Sequence, residues 1–189
     1  KQAKKIIEQM GERKEQVFNV GCTSIDLIKK VNFNKSINLN NYKFGLGKKV
    51  DLKKKYFVVL IHPNTIYYKE NLDLVKNTFE AIKKRDKQAI WIWPNIDAGS
   101  DLIAKFMRSE REQNPGLKIN FYKNFTPEDY LKLIKNCECL IGNSSSGIRE
   151  CSFLGIPFVN IGNRQNNREI GNNVFQAKVD YKDILKKIL

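Results

Sequence analysis

Short apolar runs alternate with segments of helical periodicity from residue 56 onward, and few folds accommodate such an alternation. Uninterrupted apolar runs are typical of strands that a parallel sheet buries on both faces. The sequence therefore predicts an α/β fold of the Rossmann-like type, a doubly wound parallel sheet with helices on both sides. The predicted strands are 56–61, 89–93, 117–121, 139–141, 157–161 and one near 174, and the predicted helices are 69–85, 100–112, 147–154 and two that start at 126 and 180.

The first 55 residues do not follow this rhythm. Residues 2–10 and 24–30 are predicted helices, and 17–20 is a predicted short strand. Residues 29–55 contain nine Lys against one acid, Asp51, and they account for +8 of the chain's formal charge of +14. Because this segment is also rich in Asn and Gly, we expect a solvated linker.

The composition limits the class of protein. With 189 residues, of which 41% are hydrophobic, the chain can form a core of ordinary size and is not disordered. No apolar run approaches the roughly 20 residues of a membrane helix, and residues 1–10 lack the apolar core of a signal peptide. We therefore expect a cytoplasmic protein with no membrane partner. Since the first residue is Lys1 rather than Met, we also expect a piece of a longer chain.

The four cysteines do not form a recognisable framework. Cys22, Cys137, Cys139 and Cys151 are too sparse for a disulfide scaffold, and they lack the paired spacing of a zinc site. The chain has a single His, which further disfavours a metal centre. We expect free, buried thiols in a reducing compartment, with no metal and no cofactor.

Small, polar or basic residues follow each predicted strand. Because ligands bind beyond the carboxyl ends of the strands in such sheets, we expect the loops at these ends to line one site. The loops concerned are 62–64, 94–100, 123–124, 142–147 and 162–164.

The segment 142–150, Gly-Asn-Ser-Ser-Ser-Gly-Ile-Arg-Glu, is the richest of these loops. Small residues that leave a strand and open a helix point bare N–H groups at an anion, and Ser144, Ser145 and Ser146 add hydroxyl donors. Glu150 follows on the next turn, where a carboxylate could accept two hydrogen bonds from a ribose diol. The segment matches neither the Walker pattern nor the dinucleotide G-x-G-x-x-G pattern. A Ser-rich turn that only caps a helix stays open as the structural alternative.

The other candidate residues also have structural explanations. His62, the only His, could be a hydrogen-bonded structural residue, and Asn95 could be a turn residue. Arg164 and Arg168 could be solvated surface charges. The residues alone show no Ser-His-Asp arrangement and no pair of cleft carboxylates, so they do not predict a complete catalytic set.

Taken in order, the motifs resemble those of the hydrolysing UDP-N-acetylglucosamine 2-epimerases. The Ser-rich loop and the R-Q…R-E-x-G-x-N-V tail are similar to the branch that serves sialic acid biosynthesis, whereas non-hydrolysing epimerases carry a D-S-G-G…E-E version. The matching segments span nearly the whole chain: 20–26 (V-G-C-T-S-I-D), 62–63 (H-P), 94–100 (P-N-I-D-A-G-S), 142–150, 153–157 (F-L-G-I-P) and 162–174.

The resemblance implies the C-terminal half of a glycosyltransferase-B type fold, in which two Rossmann-like domains hold a nucleotide sugar between them. Residues 1–30 would be the tail of the N-terminal domain, 31–55 the Lys-rich interdomain crossover, and 56–189 the UDP-binding domain. The missing N-terminal domain is then a partner, and the family's tendency to dimerise implies a homo-oligomer.

The resemblance also implies a set of UDP ligands. Asp101 stands where vertebrate relatives carry a basic residue that helps bind an inhibitory CMP-activated sialic acid, which argues against that inhibition here. The implied ligands are His62, Ser144 and Ser145 for the diphosphate, Asn95 near the nucleotide, Phe125 for the uracil through its backbone, Glu150 for the ribose hydroxyls, and Arg164 for the UDP site as a whole.

The implied reaction removes the proton at sugar C2 while UDP leaves from C1, and water then adds to the resulting glycal. It releases UDP and the 2-epimer, N-acetylmannosamine or a diacetamido relative. The acid/base groups would lie mainly in the missing domain, with His62 as a supporting group at most, so we expect this chain alone to be inactive. Two alternatives stay open: the donor-binding half of a UDP-sugar glycosyltransferase, and a basic nucleic-acid-binding module. The second is disfavoured because the aromatics lie mostly in apolar strands and helix faces.

Overall fold

The structure is a computed structural model that describes residues 2–42 and 45–188. Helices and strands alternate after residue 56, as the sequence predicts. The strands are β1 (Leu46–Gly47), β2 (Phe57–Leu60), β3 (Ala89–Ile92), β4 (Ile119–Tyr122), β5 (Cys139–Gly142), β6 (Phe158–Ile161) and β7 (Val174–Ala177). The α-helices are α1 (Gln2–Gln9), α2 (Thr23–Lys30), α3 (Asn71–Arg85), α4 (Ser100–Gln113), α5 (Pro127–Asn136), α6 (Glu150–Leu154) and α7 (Tyr181–Lys187).

Within the described residues the strands form one sheet in the order β1-β4-β3-β2-β5-β6-β7, and only the β1–β4 pair is antiparallel. Counted from β2, the parallel strands follow the Rossmann order 3-2-1-4-5-6. The order reverses between β2 and β5, whose last paired residues are Leu60 and Gly142. A crevice opens beyond the carboxyl ends of two such strands, because their connections leave in opposite directions. The predicted doubly wound sheet is confirmed.

An apolar cluster lies on each face of the sheet. Phe57 and Val59 of β2 pack on one face with α3, α4 and α7, whereas Val58 and Leu60 pack on the other with α2, α5 and α6. All four residues of β2 are buried. Burial on both faces explains why β2 and β3 are uninterrupted apolar runs in the sequence.

Helix α5 begins with a capped first turn. The Thr126 side chain accepts the N–H of Asp129 at 3.2 Å, and Pro127 occupies the first helical position. Glu128 and Asp129 add negative charge where the helix dipole favours it. The cap fixes the first turn of α5, which carries Tyr130 toward the carboxyl ends of the strands.

The predicted strand at 17–20 is wrong. These residues form no strand in the described structure, and Phe18 and Val20 are 76% and 79% exposed. A four-residue apolar run becomes a strand only where a sheet edge is available to pair with it. The edge strands of the described sheet are β1 and β7. The sequence analysis missed β1 because Leu46–Gly47 is only two residues long and exposed.

The segment 29–55 is only partly the solvated linker that we expected. Its described Lys side chains are all exposed. However, Phe33, Ile37 and Leu52 pack against the second apolar cluster, and Val50 is buried within it. The segment therefore contributes apolar side chains to the core while its charges stay in solvent.

The four cysteines are free, as predicted, and Cys137, Cys139 and Cys151 are buried. Burial raises the pKa of each of these three thiols, which makes them poor nucleophiles. In the described part of the chain no group of three His, Cys, Asp or Glu side chains is arranged to hold a metal ion. No helix among the described residues has the length and apolar character needed to cross a bilayer.

Candidate functional site

A cleft of about 1100 Å³ opens at the carboxyl ends of β2, β3, β4 and β5. The loops that follow these strands form its walls, so the expectation that they share one site is met for four of the five loops. Six of the seven predicted site residues line it: His62, Asn95, Phe125, Ser144, Ser145 and Glu150.

The Ser-rich loop leaves β5 through a close backbone contact. Gly142 has a φ of 139°, and a Cβ there would collide with the carbonyl of Leu60, so only glycine fits. The chain then enters a 3₁₀ helix, Ser145–Gly147. The first two N–H groups of such a turn have no backbone acceptor within it. The Ser146 N–H is taken by Ser144 Oγ, which leaves the Ser145 N–H for an anion. The predicted helix at 147–154 is correspondingly shorter, since α6 starts only at Glu150.

The hydroxyl oxygens of this loop accept hydrogen bonds from the protein. Ser144 Oγ accepts the N–H of Ser146 at 3.3 Å, and Ser145 Oγ accepts from the Arg149 guanidinium at 3.1 Å. The Tyr130 hydroxyl donates to Ser146 Oγ at 2.8 Å. Since each serine is used as an acceptor, the Ser144 and Ser145 O–H groups keep their protons available for a ligand.

Glu150 is the buried charge of the cleft. It is 9% exposed, and in the described part of the chain its Oε2 atom has no hydrogen-bond partner. The Arg149 guanidinium lies 3.8 Å from the other oxygen, Oε1. A buried carboxylate oxygen without a donor is unfavourable. Glu150 lines the cleft, so its carboxylate is a candidate acceptor for a ligand there.

His62 lies at the end of β2 and is 7% exposed. Its Nδ1 atom accepts the backbone N–H of Asn95 at 3.3 Å. Burial lowers the pKa of His62 to about 4, the Arg164 charge acts in the same direction, and Asp97 opposes both. The ring is therefore neutral at pH 7. Because Nδ1 is an acceptor, the proton resides on Nε2, and the ring offers an N–H donor.

Phe125 lines the cleft but its ring is already packed. The ring centroid is 4.5 Å from that of Tyr42 and 4.9 Å from that of Tyr122. With the side chain engaged in this aromatic cluster, the backbone of the 123–125 loop is the part that a ligand can reach. This arrangement is consistent with the predicted backbone contact.

Arg164 is the predicted residue that does not line the cleft. It lies in an adjoining depression of about 600 Å³ with Asn64, Asn163 and Arg168, and its Nη1 donates to the carbonyl of Asn143 at 3.3 Å. The reason is topological, since Arg164 follows β6, one strand further from β2 than the Ser-rich loop. Burial lowers the Arg164 pKa somewhat, but a guanidinium stays charged.

The sequence analysis missed two cations of the cleft wall, Arg108 and Arg149. Arg108 lies in the interior of α4, away from any strand end, and its guanidinium is 5.8 Å from the ring centroid of Trp93. Arg149 belongs to the Ser-rich motif, but the spacing of that motif did not indicate a role for it. The residues of the strand-end loops do not predict which face of a helix turns toward the cleft.

A second cavity, of about 740 Å³, lies between the segment 33–53 and the outer part of the sheet. Lys35, Lys49 and Lys53 lie around it, together with Tyr56 and Tyr122. None of the seven predicted residues lines it. The second cavity is therefore a separate region, and it serves as the comparison when the binding of a ligand to the first cleft is tested.

A family model described as UDP-N-acetylglucosamine 2-epimerase matches residues 1–189. The chain belongs to this family. The family predicted from the motifs is thereby confirmed.

Curated members of the UDP-N-acetylglucosamine 2-epimerase family resemble the chain over part of their length. The chain is 33% identical to polysialic acid biosynthesis protein P7 of Escherichia coli, over 98% of the chain and 46% of that protein. It is 30% identical to GDP/UDP-N,N'-diacetylbacillosamine 2-epimerase (hydrolyzing) of Campylobacter jejuni, over 94% of the chain and 45% of that protein. The chain thus spans about half the length of the curated relatives that it matches.

Solved structures of the family share the fold. A Methanocaldococcus jannaschii UDP-GlcNAc 2-epimerase, solved in complex with UDP-GlcNAc and UDP, superposes with a TM-score of 0.67 at 18% identity, over 98% of this chain and 51% of that one. The Staphylococcus aureus MnaA–UDP structure gives a TM-score of 0.61 at 15% identity, over 97% and 47%. The predicted fold class, a Rossmann-like half of a glycosyltransferase-B type fold, is confirmed.

Proposed function

We propose that the cleft binds the UDP portion of a UDP-sugar. In this proposal the chain is the C-terminal, nucleotide-holding portion of a hydrolysing UDP-N-acetylglucosamine 2-epimerase that releases UDP and N-acetylmannosamine or a diacetamido relative. Residues 1–30 are then the tail of an N-terminal domain, and 31–55 are the crossover. A cytoplasmic location and a homo-oligomer remain predictions.

The observation that carries the proposal is the Glu150 carboxylate, which lines the cleft and whose Oε2 atom has no hydrogen-bond partner among the described residues. A ribose diol supplies two O–H donors, and a carboxylate is the acceptor that can take both. The hydrogen bonds to a charged acceptor would offset the cost of burying it. A purely structural turn gives no reason to keep an unsatisfied carboxylate here.

The diphosphate fits the donors at the switch point. The Ser144 and Ser145 hydroxyls, the Ser145 N–H of the 3₁₀ turn and the Nε2–H of His62 are all neutral donors from residues that line the cleft. Arg149 adds a cation at the same wall. Donors fixed in advance around the leaving UDP stabilise the charge that develops as the C1–O bond breaks.

In the proposed reaction the proton at sugar C2 goes to a general base, and the electron pair of that C–H bond forms the double bond of a glycal. The C1–O bond breaks at the same stage and its electrons leave with UDP. Water then adds across the double bond, with a proton returned to C2 from the opposite face. The cleft described here supplies leaving-group stabilisation, and we propose that the base and acid belong to the other domain.

Two measurements test the proposal. Isothermal titration calorimetry of the 189-residue chain with UDP should give binding that CMP does not reproduce, and absence of UDP binding would overturn it. NMR analysis of a full-length protein that contains this chain, incubated with UDP-N-acetylglucosamine or a diacetamido relative, should show free 2-epimeric sugar plus UDP without any acceptor. Transfer that requires an acceptor would favour a glycosyltransferase instead.

A further inference from the structure

Asn143 joins three of the loops at the carboxyl ends of the strands, although it does not line the cleft itself. It is 1% exposed and follows the last residue of β5. Its side-chain Oδ1 accepts the backbone N–H of His62 at 2.8 Å, and its Nδ2 donates to the carbonyl of His62 at 2.8 Å. Both hydrogen-bonding groups of the Asn143 side-chain amide are therefore matched to the backbone N–H and C=O of one residue, His62, in the loop after β2.

These two bonds extend the parallel β2–β5 ladder beyond its end. The last paired residues are Leu60 and Gly142, and the Asn143 N–H still reaches the carbonyl of Leu60 at 3.3 Å. At the switch point the two chains diverge, so no further backbone pairing forms. The Asn143 side chain takes the place of the next peptide group and holds the backbone of His62 against the start of the Ser-rich loop.

The backbone carbonyl of Asn143 anchors the loop after β6. It accepts from Gln165 Nε2 at 2.7 Å and from Arg164 Nη1 at 3.3 Å. Gln165 is 3% exposed, so this bond is shielded from water. The position of Arg164 beside His62 is thus set through the same residue that fixes the His62 backbone.

We propose that Asn143 is a positioning residue that fixes His62 against the start of the Ser-rich loop, so that His62 faces the diphosphate, and that also anchors the neighbouring loop of Arg164. The His62 ring is oriented by two anchors: the backbone is held by Asn143, and Nδ1 is held by the N–H of Asn95. Removing the first anchor frees the backbone and weakens the second, so the Nε2–H donor loses its direction. The ligand in this inference comes from the proposed UDP site. The expected effect of Asn143 on the His62 ring does not depend on that proposal.

The test uses the fact that His62 is the only His of the chain. Two-bond ¹H–¹⁵N NMR spectra of the tag-free protein report the tautomer of this single ring without ambiguity. The wild-type chain should show a protonated Nε2 and an unprotonated Nδ1. Asn143→Ala should populate both tautomers and should raise the Kd for UDP about tenfold or more, which corresponds to one lost hydrogen bond to a charged group.

Asn120→Ala is the matched control. Asn120 is also a buried Asn, 2% exposed, whose Nδ2 donates to two backbone carbonyls, those of Gly47 and Lys48, at the edge of the sheet. It should lower stability but leave the His62 tautomer unchanged and the Kd within about threefold. Asn143→Asp, which has the same shape, keeps the acceptor for the His62 N–H and loses the donor to the His62 carbonyl. It replaces the alanine variant if the latter does not fold, and its readout is the ring tautomer, because the added charge by itself weakens the binding of an anion.

The outcomes separate the two proposals. A wild-type tautomer in Asn143→Ala, or in Asn143→Asp if the alanine variant does not fold, would overturn the positioning role whatever the UDP affinity. If the wild-type chain does not bind UDP, the proposed function fails, but the ring spectra still decide whether Asn143 orients His62. A mixed tautomer in Asn120→Ala would also overturn the proposal, because the effect would then be a general response to loosened packing.

Discussion

Glu150→Gln should change stability and ligand affinity in opposite directions. The substitution keeps the shape of the side chain and removes a buried charge with one unpartnered oxygen and one ion pair at 3.8 Å. We expect the free energy of unfolding of the ligand-free chain to rise by about 1 kcal/mol, because an unsatisfied buried acceptor costs about 1–3 kcal/mol and part of that cost is relieved.

The same substitution should weaken UDP binding. An amide offers a single acceptor oxygen, so one of the two hydrogen bonds from the ribose diol is lost. A hydrogen bond to a charged group contributes about 1.5–3 kcal/mol, which corresponds to a rise in Kd of about 10- to 150-fold. Urea unfolding followed by Trp fluorescence and calorimetric titration with UDP measure the two effects on one preparation.

Glu138→Gln is the control for this experiment. Glu138 lies at the amino end of the sheet, directly before β5, and its carboxylate accepts from Lys87 Nζ at 2.8 and 2.9 Å. Because this carboxylate has its partner, the substitution should lower stability by about 0.5–1 kcal/mol and leave the Kd for UDP unchanged. If Glu150→Gln instead loses stability like Glu138→Gln and binds UDP like the wild type, the assignment of Glu150 as a ligand-binding carboxylate is refuted.

Three further predictions concern pH, packing and turnover. The His62 pKa is about 4 in the folded chain and about 6.5 in the unfolded chain, so the unfolded chain binds the proton first as the pH falls. The free energy of unfolding should therefore fall by up to about 3 kcal/mol as the pH drops from 6.5 to 4. Urea unfolding of His62→Gln should show a flatter pH dependence in this range. Gly147→Ala should lower the free energy of unfolding by about 1–3 kcal/mol in the same assay, because a Cβ there collides with the ring of Phe158. Gly155→Ala is the control: a Cβ at Gly155 meets no described atom within 4 Å, so this substitution should cost only about 1 kcal/mol for its φ of 71°. NMR of the isolated 189-residue chain with UDP-N-acetylglucosamine should show no free sugar; its appearance would mean that the chain carries the acid and base itself.

The central strands were predictable because burial on both faces of the sheet favours apolar residues at successive positions of a strand. Val58 and Val59 point to opposite clusters and are both apolar, so the run alone identifies a central strand. The segment 17–20, Val-Phe-Asn-Val, is also mainly apolar. A strand needs a neighbour to pair with, however, and the segment itself does not show whether a sheet edge is available. For the same reason Leu46–Gly47, which is too short to show a pattern, was missed.

The candidate site was predictable to the level of its loops and no further. The rule that ligands bind beyond the carboxyl ends of parallel strands brought His62 and Glu150 to one cleft. That rule does not say how far from the switch point each loop lies, so it did not separate Arg164 from the others. The pairing of Asn143 with His62 spans 81 residues and depends on side-chain geometry, which no spacing in the sequence encodes.

The central claim is that UDP occupies the cleft at the switch point between β2 and β5. Chemical-shift mapping of the ¹⁵N-labelled chain during a titration with UDP tests it most directly. The account predicts that the largest shifts fall on the backbone amides of Asn95, Phe125, Ser144 and Ser145 and on the His62 ring. Shifts confined to residues around the second cavity, such as Lys35 and Lys49, or no shifts at saturating UDP, would contradict it.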